Sequence, residues 1–235
     1  MEIGKTHTDT APVARTSVPI RTQIVAAARA NFAPGLLLQS VAVILVAAYY
    51  LWPAAHAAME SVAVFKARIG IWYPIISTAF FAGTLPLLMQ RLQRGGRREG
   101  IKVWPFYLVY WAFIGVVVDW FYTLQAQIFG NGTDWWTITQ KVVVDMFAFS
   151  PFLAMPAICV AFAWKDNGFD FNRTRRALGR QWYAERVFPM IVAAWIVWIP
   201  TVTLIYALPL ALQFPVQNIV QCLWALILMF MTQDE

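Results

Sequence analysis

The sequence predicts an all-α protein, a polytopic bundle of transmembrane helices with about six spans. Hydrophobic residues make up 60% of the 235 residues and charged residues only 13%, whereas soluble domains have about 45–50% and about 25%. Two long stretches, residues 69–90 and 187–233, contain no charged residue. A helix that crosses a bilayer needs about 20 mostly apolar residues, so the second stretch has room for two spans.

The apolar stretches place the spans in order along the chain. The first is predicted at residues 34–52, and the next three at 69–90, 104–129 and 140–164. The last two, at 188–207 and 214–231, are separated by a turn flanked by Pro209 and Pro215, which have no backbone N–H to leave unsatisfied. Tryptophan prefers the headgroup level of a membrane, and six tryptophans lie at or near the ends of these stretches: Trp52, Trp72, Trp104, Trp135, Trp136 and Trp164.

Three parts of the chain follow from this pattern. Residues 1–31 are polar and rich in threonine, which is typical of a mobile N-terminal tail, and an interfacial helix beginning in RTQIVAAARANF is the alternative for its last residues. Residues 32–58 hold the first transmembrane helix. Residues 69–232 form the rest of the transmembrane bundle.

Basic residues are concentrated on alternate loops. They outnumber acidic residues in the tail and in the loops 91–103 and 165–187, and the intervening loops contain few. Positive residues stay on the side from which a chain is inserted, so both termini are predicted on the same side of the membrane. The basic segments 91–102 and 173–186 are predicted to contact anionic lipid headgroups. The sequence has no glycine-rich phosphate-binding pattern, predicts no nucleic-acid partner and leaves a homo-oligomer open.

Two carboxylates lie inside apolar spans. Asp145 occurs in KVVVDMFAFSP, one helical turn after Lys141, and Asp119 occurs in VVVDWFYTL with no cation in reach along its own helix. A carboxylate at bilayer depth costs at least about 3 kcal/mol if it faces lipid, so both should face the bundle interior or water. Pairing of Asp145 with Lys141, hydrogen bonding between helices and lining of an aqueous path are the alternatives.

The last span carries amide side chains at helical spacing. Glutamines recur there every four residues, which places them on one face, with an asparagine beside them and a tryptophan continuing the stripe: Gln213, Gln217, Asn218, Gln221 and Trp224. Amides in hydrocarbon need partners from neighbouring helices or from water. One hypothesis is that they bond between helices. The sharper one is that this stripe, the two intramembrane carboxylates and Lys141 line one central cavity.

Catalytic chemistry has little support in the sequence, and the protein is predicted not to be an enzyme. His7 and His56 have no metal-ligand spacing to each other or to Cys159 or Cys222, and no metal or cofactor is predicted. The leading hypothesis is channel-like permeation of small solutes or ions. The alternatives are a non-catalytic membrane scaffold, whose buried polar residues only hold helices together, and an intramembrane enzyme.

Three segments form a recognisable set of motifs. KVVVDMFAFSP has the pattern K-x-x-x-D-x-x-x-x-x-P, given by Lys141, Asp145 and Pro151, and GVVVDWFY begins with Gly115 and ends with Tyr122. The third motif lies near the C-terminus, at Trp195, Trp198, Pro200, Tyr206, Pro209, Asn218 and Trp224. In this order, the motifs resemble those of the Mpv-seventeen / peroxisomal membrane protein of twenty-two kilodaltons family over about residues 70–232.

The resemblance implies a small integral membrane protein of the mitochondrial inner membrane or the peroxisomal membrane. It also implies channel-like permeation of small solutes, and no enzymatic activity can be carried over from the family. A bacterial inner membrane is equally compatible with the sequence.

Overall fold

Every regular element of the described chain is helical, which confirms the all-α prediction. The computed structural model describes residues 20–92 and 100–231. In chain order its α-helices are α1 (Ile20–Leu51), α2 (Pro53–Ile69), α3 (Trp72–Thr78), α4 (Leu85–Leu92), α5 (Trp104–Phe129), α6 (Trp135–Val144), α7 (Met155–Asp166), α8 (Phe171–Leu178), α9 (Phe188–Tyr206) and α10 (Leu210–Met231). Three π-helical segments, Ala79–Thr84, Asp145–Ala154 and Tyr183–Val187, and one 3-10 turn, Ile101–Val103, connect some of them.

Five stretches of the described chain are long and apolar enough to cross a membrane. They are Asn31–Leu51, Trp72–Arg91, Ile101–Phe129, Trp135–Asp166 and Tyr183–Tyr206. In α10 the apolar stretch, Leu210–Leu226, is shorter than these five. The sixth span and the placement of both termini on one side therefore stay predictions.

The N-terminal boundaries differ from those predicted. Helix α1 begins at Ile20, so residues 20–31 are helical, as in the alternative of a helix at the end of the tail, and they continue into the first span with Pro34 inside the helix. The alanine-rich segment before Pro34 explains this extension, since alanine has the highest helix propensity. Residues 1–19 of the predicted tail and residues 93–99 of the basic loop lie outside the described residues.

A helix, α2, occupies the segment that was expected to be the first loop. Trp52 is extended, with φ −121° and ψ 107°, because the residue before a proline is disfavoured in the α region. Pro53 then starts α2, a position where its missing N–H costs nothing. The predicted first transmembrane segment, residues 32–58, therefore contains the end of α1, a break at Trp52 and the start of α2.

Prolines account for the three π-helical segments. Asp145–Ala154 contains Pro151, and Ala79–Thr84 and Tyr183–Val187 each end two residues before a proline, Pro86 and Pro189. A proline in a helix donates no hydrogen bond and its ring crowds the preceding turn, so the backbone widens locally. In the fourth span the carbonyl of Met146 accepts a hydrogen bond from Trp195 Nε1 at 2.8 Å, and the carbonyl of Pro151 accepts one from the Tyr183 hydroxyl at 3.0 Å.

Helix α9 lies at the centre of the packing. Its Val197, Ile205 and Tyr206 are fully buried, and α1 packs on it through the buried Leu38 and Ala42. By contrast, large apolar side chains cover the outside of the bundle: Leu51, Val109 and Phe152 are exposed by 81%, 71% and 77%. A bilayer would cover such a surface, which is far more apolar than soluble monomers display.

Candidate functional site

A buried hydrogen-bond chain joins three helices at Tyr206. The Tyr206 hydroxyl donates to Asp145 Oδ2 at 2.7 Å and accepts from Gln125 Nε2 at 2.5 Å. Asp145 begins the π-helical segment of the fourth span, Gln125 lies on α5, and Tyr206 ends α9. The three side chains are at most 6% exposed. Buried polar side chains are retained at low cost only when they are paired, and here one hydroxyl serves both of its neighbours.

Lys141 lies next to this chain but does not pair with Asp145. Its residue is 1% exposed, and its ammonium lies 6.0 Å from the centre of the Tyr206 ring, within cation–π range. Among the described residues, Asp145 has no ion-pair partner within 4.0 Å. The pairing of Lys141 and Asp145 along one helix face is therefore absent, because Asp145 faces the Tyr206 hydroxyl instead.

A cavity of about 640 Å³ adjoins the Tyr206 chain. We call it the lateral cavity. Its walls come from α5 between Tyr110 and Tyr122, from the fourth span between Asp145 and Ile158, and from α9 and α10 at Trp198 and Trp224. Its volume lies in the usual range of small-molecule pockets, about 300–1,000 Å³.

The lateral cavity opens on the apolar surface of the bundle. Phe113 and Trp120 of α5 and Leu153 of the π-helical segment line it and are themselves exposed. Phe113 lies in the middle of the apolar stretch Ile101–Phe129, so a bilayer that covers this stretch would place the opening among acyl chains. Phe121 of α5 stacks on Phe149 of the fourth span with ring centres 4.0 Å apart, and both rings line the cavity.

A few polar groups reach this apolar cavity. Asp145, Ser150, Gln217, Gln221 and Trp111 line it. Gln217 Oε1 and Trp111 Nε1 are buried, and neither has a hydrogen-bond partner among the described residues. A buried polar atom without a partner costs about 1–3 kcal/mol, and no described residue relieves that cost for these two atoms.

Asp119, by contrast, is paired away from the lateral cavity. Its Oδ1 lies 2.6 Å from Lys66 Nζ, and neither residue lines the cavity. The Lys66 ammonium also lies 5.4 Å from the centre of the Phe214 ring. The Lys66 ammonium of α2 therefore neutralises the Asp119 carboxylate, which has no cationic partner on α5 itself.

The amide stripe of α10 divides between two environments. Gln217, Gln221 and Trp224 line the lateral cavity, whereas Asn218 Nδ2 donates to Ser77 Oγ on α3 at 2.9 Å. Gln213 Nε2 donates to the carbonyl of Leu208 at 2.9 Å in the turn before α10. The structure thus brings Asp145, Gln217, Gln221 and Trp224 to one cavity, and it places Asp119, Lys141, Gln213 and Asn218 outside its lining.

The motif residues occupy packing positions around the same centre. Tyr122 contacts Tyr206 edge-on with ring centres 5.3 Å apart, and Trp198 contacts Trp224 in the same manner at 6.4 Å. Trp195 packs on Phe147 with ring centres 4.8 Å apart. Pro151 lies in the π-helical segment, Pro200 lies inside α9, and Pro209 lies in the turn that separates α9 from α10.

Gly115 marks the closest approach of α5 to α3. A Cβ atom on Gly115 would lie 2.5 Å from the carbonyl oxygen of Pro74 and 2.5 Å from Thr78 Oγ1. No larger residue fits there without a shift of backbone, so the glycine allows the two helices to touch.

Two residues of these clusters were missed by the sequence analysis. Lys66 lies with Arg68 between the first two predicted spans, where the sequence predicts a loop, and the alanine-rich composition before it was the available signal for a helix. Gln125 is an amide inside the apolar third span, which is the same signal that singled out the stripe on α10. Within the described chain, no group of three or more His, Cys, Asp or Glu side chains lies close enough to hold a metal ion.

The fold and the apolar helices are those of a membrane-embedded, all-helical protein. Comparisons with protein-family models, with curated proteins and with solved structures find no match to this chain. Membership of the family that the motifs resemble therefore stays a prediction.

Proposed function

We propose that the chain is an integral membrane protein that mediates the passage of small solutes, with the lateral cavity as the binding station on the way. The observation that carries the proposal is the convergence of Asp145, Gln217 and Gln221 on one cavity of about 640 Å³. Polar groups on otherwise apolar walls are what a transient solute site in a membrane needs, since they replace part of the solute's hydration.

Contacts between residues of different sequence motifs support the proposal. Asp145 belongs to the K-x-x-x-D motif and Tyr206 to the C-terminal motif, and the two are hydrogen-bonded in the bundle core. We therefore keep membership of the Mpv-seventeen-like family as part of the proposal. A mitochondrial inner or peroxisomal membrane would be the location in a eukaryote, and the inner membrane in a bacterium.

The proposed topology has six spans with both termini on one side, α10 being the sixth. Exposed arginines of α8 and the segment after it support contact with anionic headgroups on that side: Arg173, Arg175, Arg176, Arg180 and Arg186. Phe171 beside them is 73% exposed and can enter the headgroup region. No catalytic role forms part of the proposal.

A scaffold without solute passage is the second candidate. Asp119 is paired with Lys66, Asn218 with Ser77, and Tyr206 with two partners, so these polar groups already hold helices together. This is the usual role of polar side chains between membrane helices.

Flux measurements in proteoliposomes separate the two candidates. The purified chain should speed the entry of small neutral solutes or of K⁺ above the rate in protein-free vesicles. Asp145→Asn, which still accepts from Tyr206, should change the preference between cation and neutral solute. Asp119→Asn is the control, because that carboxylate lies outside the cavity lining. Flux equal to that of empty vesicles would leave the scaffold as the function, and an equal effect of both variants would remove the cavity from the path.

A further inference from the structure

An opening of the lateral cavity lies on the apolar outer surface of the bundle. Its rim residues Phe113, Trp120 and Leu153 are exposed on the surface that faces acyl chains. Residues 104–118 of α5 include no charged residue, so the entrance lies in the hydrocarbon region. A molecule that enters here must already be dissolved in the bilayer.

The walls of the cavity exclude an anionic headgroup. Among the described residues that line it there is no lysine or arginine, and Asp145 is itself acidic. A phosphate or carboxylate brought into such an environment would have no counter-ion. A cationic headgroup gains little as well, because Asp145 is only 6% exposed and its Oδ2 already accepts a hydrogen bond from the Tyr206 hydroxyl.

The lining instead offers single hydrogen-bonding groups. The Gln217 amide lines the cavity, and it has no hydrogen-bond partner among the described residues. Gln221 and Ser150 add polar atoms to the lining. A hydroxyl group can donate to the glutamine oxygen and accept from an N–H, so it satisfies groups of both kinds.

We propose that the lateral cavity binds an uncharged lipophilic molecule that carries a hydroxyl group at one end and is taken up from the acyl-chain region of the bilayer. The chain of the molecule lies against the aromatic walls between α5 and the fourth span, and its hydroxyl bonds to Gln217. This inference goes beyond solute passage, since it requires the cavity to bind and not to conduct.

Photolabelling of the full chain in phospholipid nanodiscs tests the proposal. The probes are a long-chain alcohol with a diazirine in its chain and three matched probes that end in a carboxylate, a quaternary ammonium or a methyl group. The alcohol should label peptides from residues 110–122 and 145–158 more strongly than the other three do. Excess unlabelled long-chain alcohol and excess diacylglycerol are then added in separate reactions. Competition by the alcohol identifies a free lipophile as the natural occupant, and competition by diacylglycerol identifies a neutral membrane lipid.

Variants assign the labelling to the cavity. Ala157→Trp fills it from α7 and should reduce labelling by about tenfold, whereas Val109→Trp, at an exposed position outside the lining, should not. Ala225→Phe fills the cavity from α10 and replaces Ala157→Trp if that variant does not fold. Gln217→Leu should reduce labelling by the alcohol probe about tenfold, the effect of one lost hydrogen bond, and should leave labelling by the methyl-ended probe unchanged.

Three results would overturn the proposal. One is labelling spread evenly over the apolar surface, and another is labelling that both cavity-filling variants leave intact. The third is a preference for the carboxylate or ammonium probe, which would contradict the uncharged class. Flux in proteoliposomes is measured separately, so a chain that binds the alcohol without conducting retains this inference and loses only the proposed permeation.

Discussion

Lys66 Nζ of α2 lies 2.6 Å from Asp119 Oδ1 of α5, and this ion pair connects a helix that looked like a loop to the third membrane span. The two side chains are 16% and 24% exposed, so the pair is shielded more than a surface pair would be. When one partner of a shielded pair is removed, the other charge remains unpaired at bilayer depth. The stability lost in this way is larger than the net stabilisation that the intact pair provides.

Removal of either charge alone should therefore destabilise the protein. Lys66→Met and Asp119→Asn should each lower the free energy of unfolding by about 1–3 kcal/mol, and the double variant should lose less than the sum of the two. Reversible unfolding in detergent micelles measures this coupling. Arg173→Ala is the control, since the Arg173–Asp170 pair is exposed and such pairs contribute little. Additive losses would show that the two side chains do not interact.

The lengths and order of the helices were largely predictable because the thickness of the hydrocarbon region dictates them. Helix α5 has the predicted bounds, residues 104–129, and α9 ends one residue before the predicted end at 207. Helix α2 was missed for a physical reason. Charged residues such as Lys66 were assigned to loops and used to predict which side of the membrane each loop faces. A helix can nevertheless carry a lysine where the carboxylate of another helix pairs with it.

The residues of the candidate site were easier to predict from the sequence than the contacts between them. The four-residue spacing of Lys141 and Asp145 suggested a pair, but Asp145 starts a π-helical segment and finds Tyr206, a residue 61 positions away. Periodicity describes one helix at a time and contains no information on such a partner. The same limit explains the division of the α10 stripe, since Gln217 and Asn218 are adjacent in sequence but contact different helices.

Loss of the Tyr206 hydroxyl should weaken the junction of three helices. Tyr206→Phe leaves both Asp145 and Gln125 without the partner they share, and we expect a loss of about 2–4 kcal/mol in the free energy of unfolding, since each unpaired buried group costs about 1–3 kcal/mol. Tyr122→Phe is a matched control, because the described residues provide no hydrogen-bond partner for that hydroxyl. Thermal unfolding in detergent compares the two variants, and equal midpoints would contradict the hydrogen-bond chain.

Acid should loosen the start of α6. Asp134 caps this helix by accepting from the Thr137 backbone N–H at 3.1 Å and from the Thr137 hydroxyl at 2.7 Å. These two hydrogen bonds, the hydroxyl's first, lower the pKa of the Asp134 carboxyl below its ordinary value. A lowered pKa in the folded state means that the stabilisation is complete above about pH 4 and is lost as the pH falls further.

Hydrogen exchange of the α6 amides between pH 3 and pH 6 can detect this loosening once intrinsic exchange rates are corrected. Asp134→Asn retains a capping oxygen that does not titrate, so its protection should show less dependence on pH. An unchanged pH dependence in Asp134→Asn would mean that another group controls the end of the helix.

Contact between α3 and α5 depends on the absence of a side chain at Gly115. In Gly115→Ala the new methyl group would meet the Pro74 carbonyl oxygen and Thr78 Oγ1 at 2.5 Å, so a backbone must move. Overpacking of this kind costs about 1–3 kcal/mol, and we expect that loss in the free energy of unfolding. Gly100→Ala is the matched control, because a Cβ atom there meets nothing within 4 Å and its φ of −66° suits alanine. If both variants unfolded at the same denaturant concentration, the close approach of the two helices would not contribute to stability.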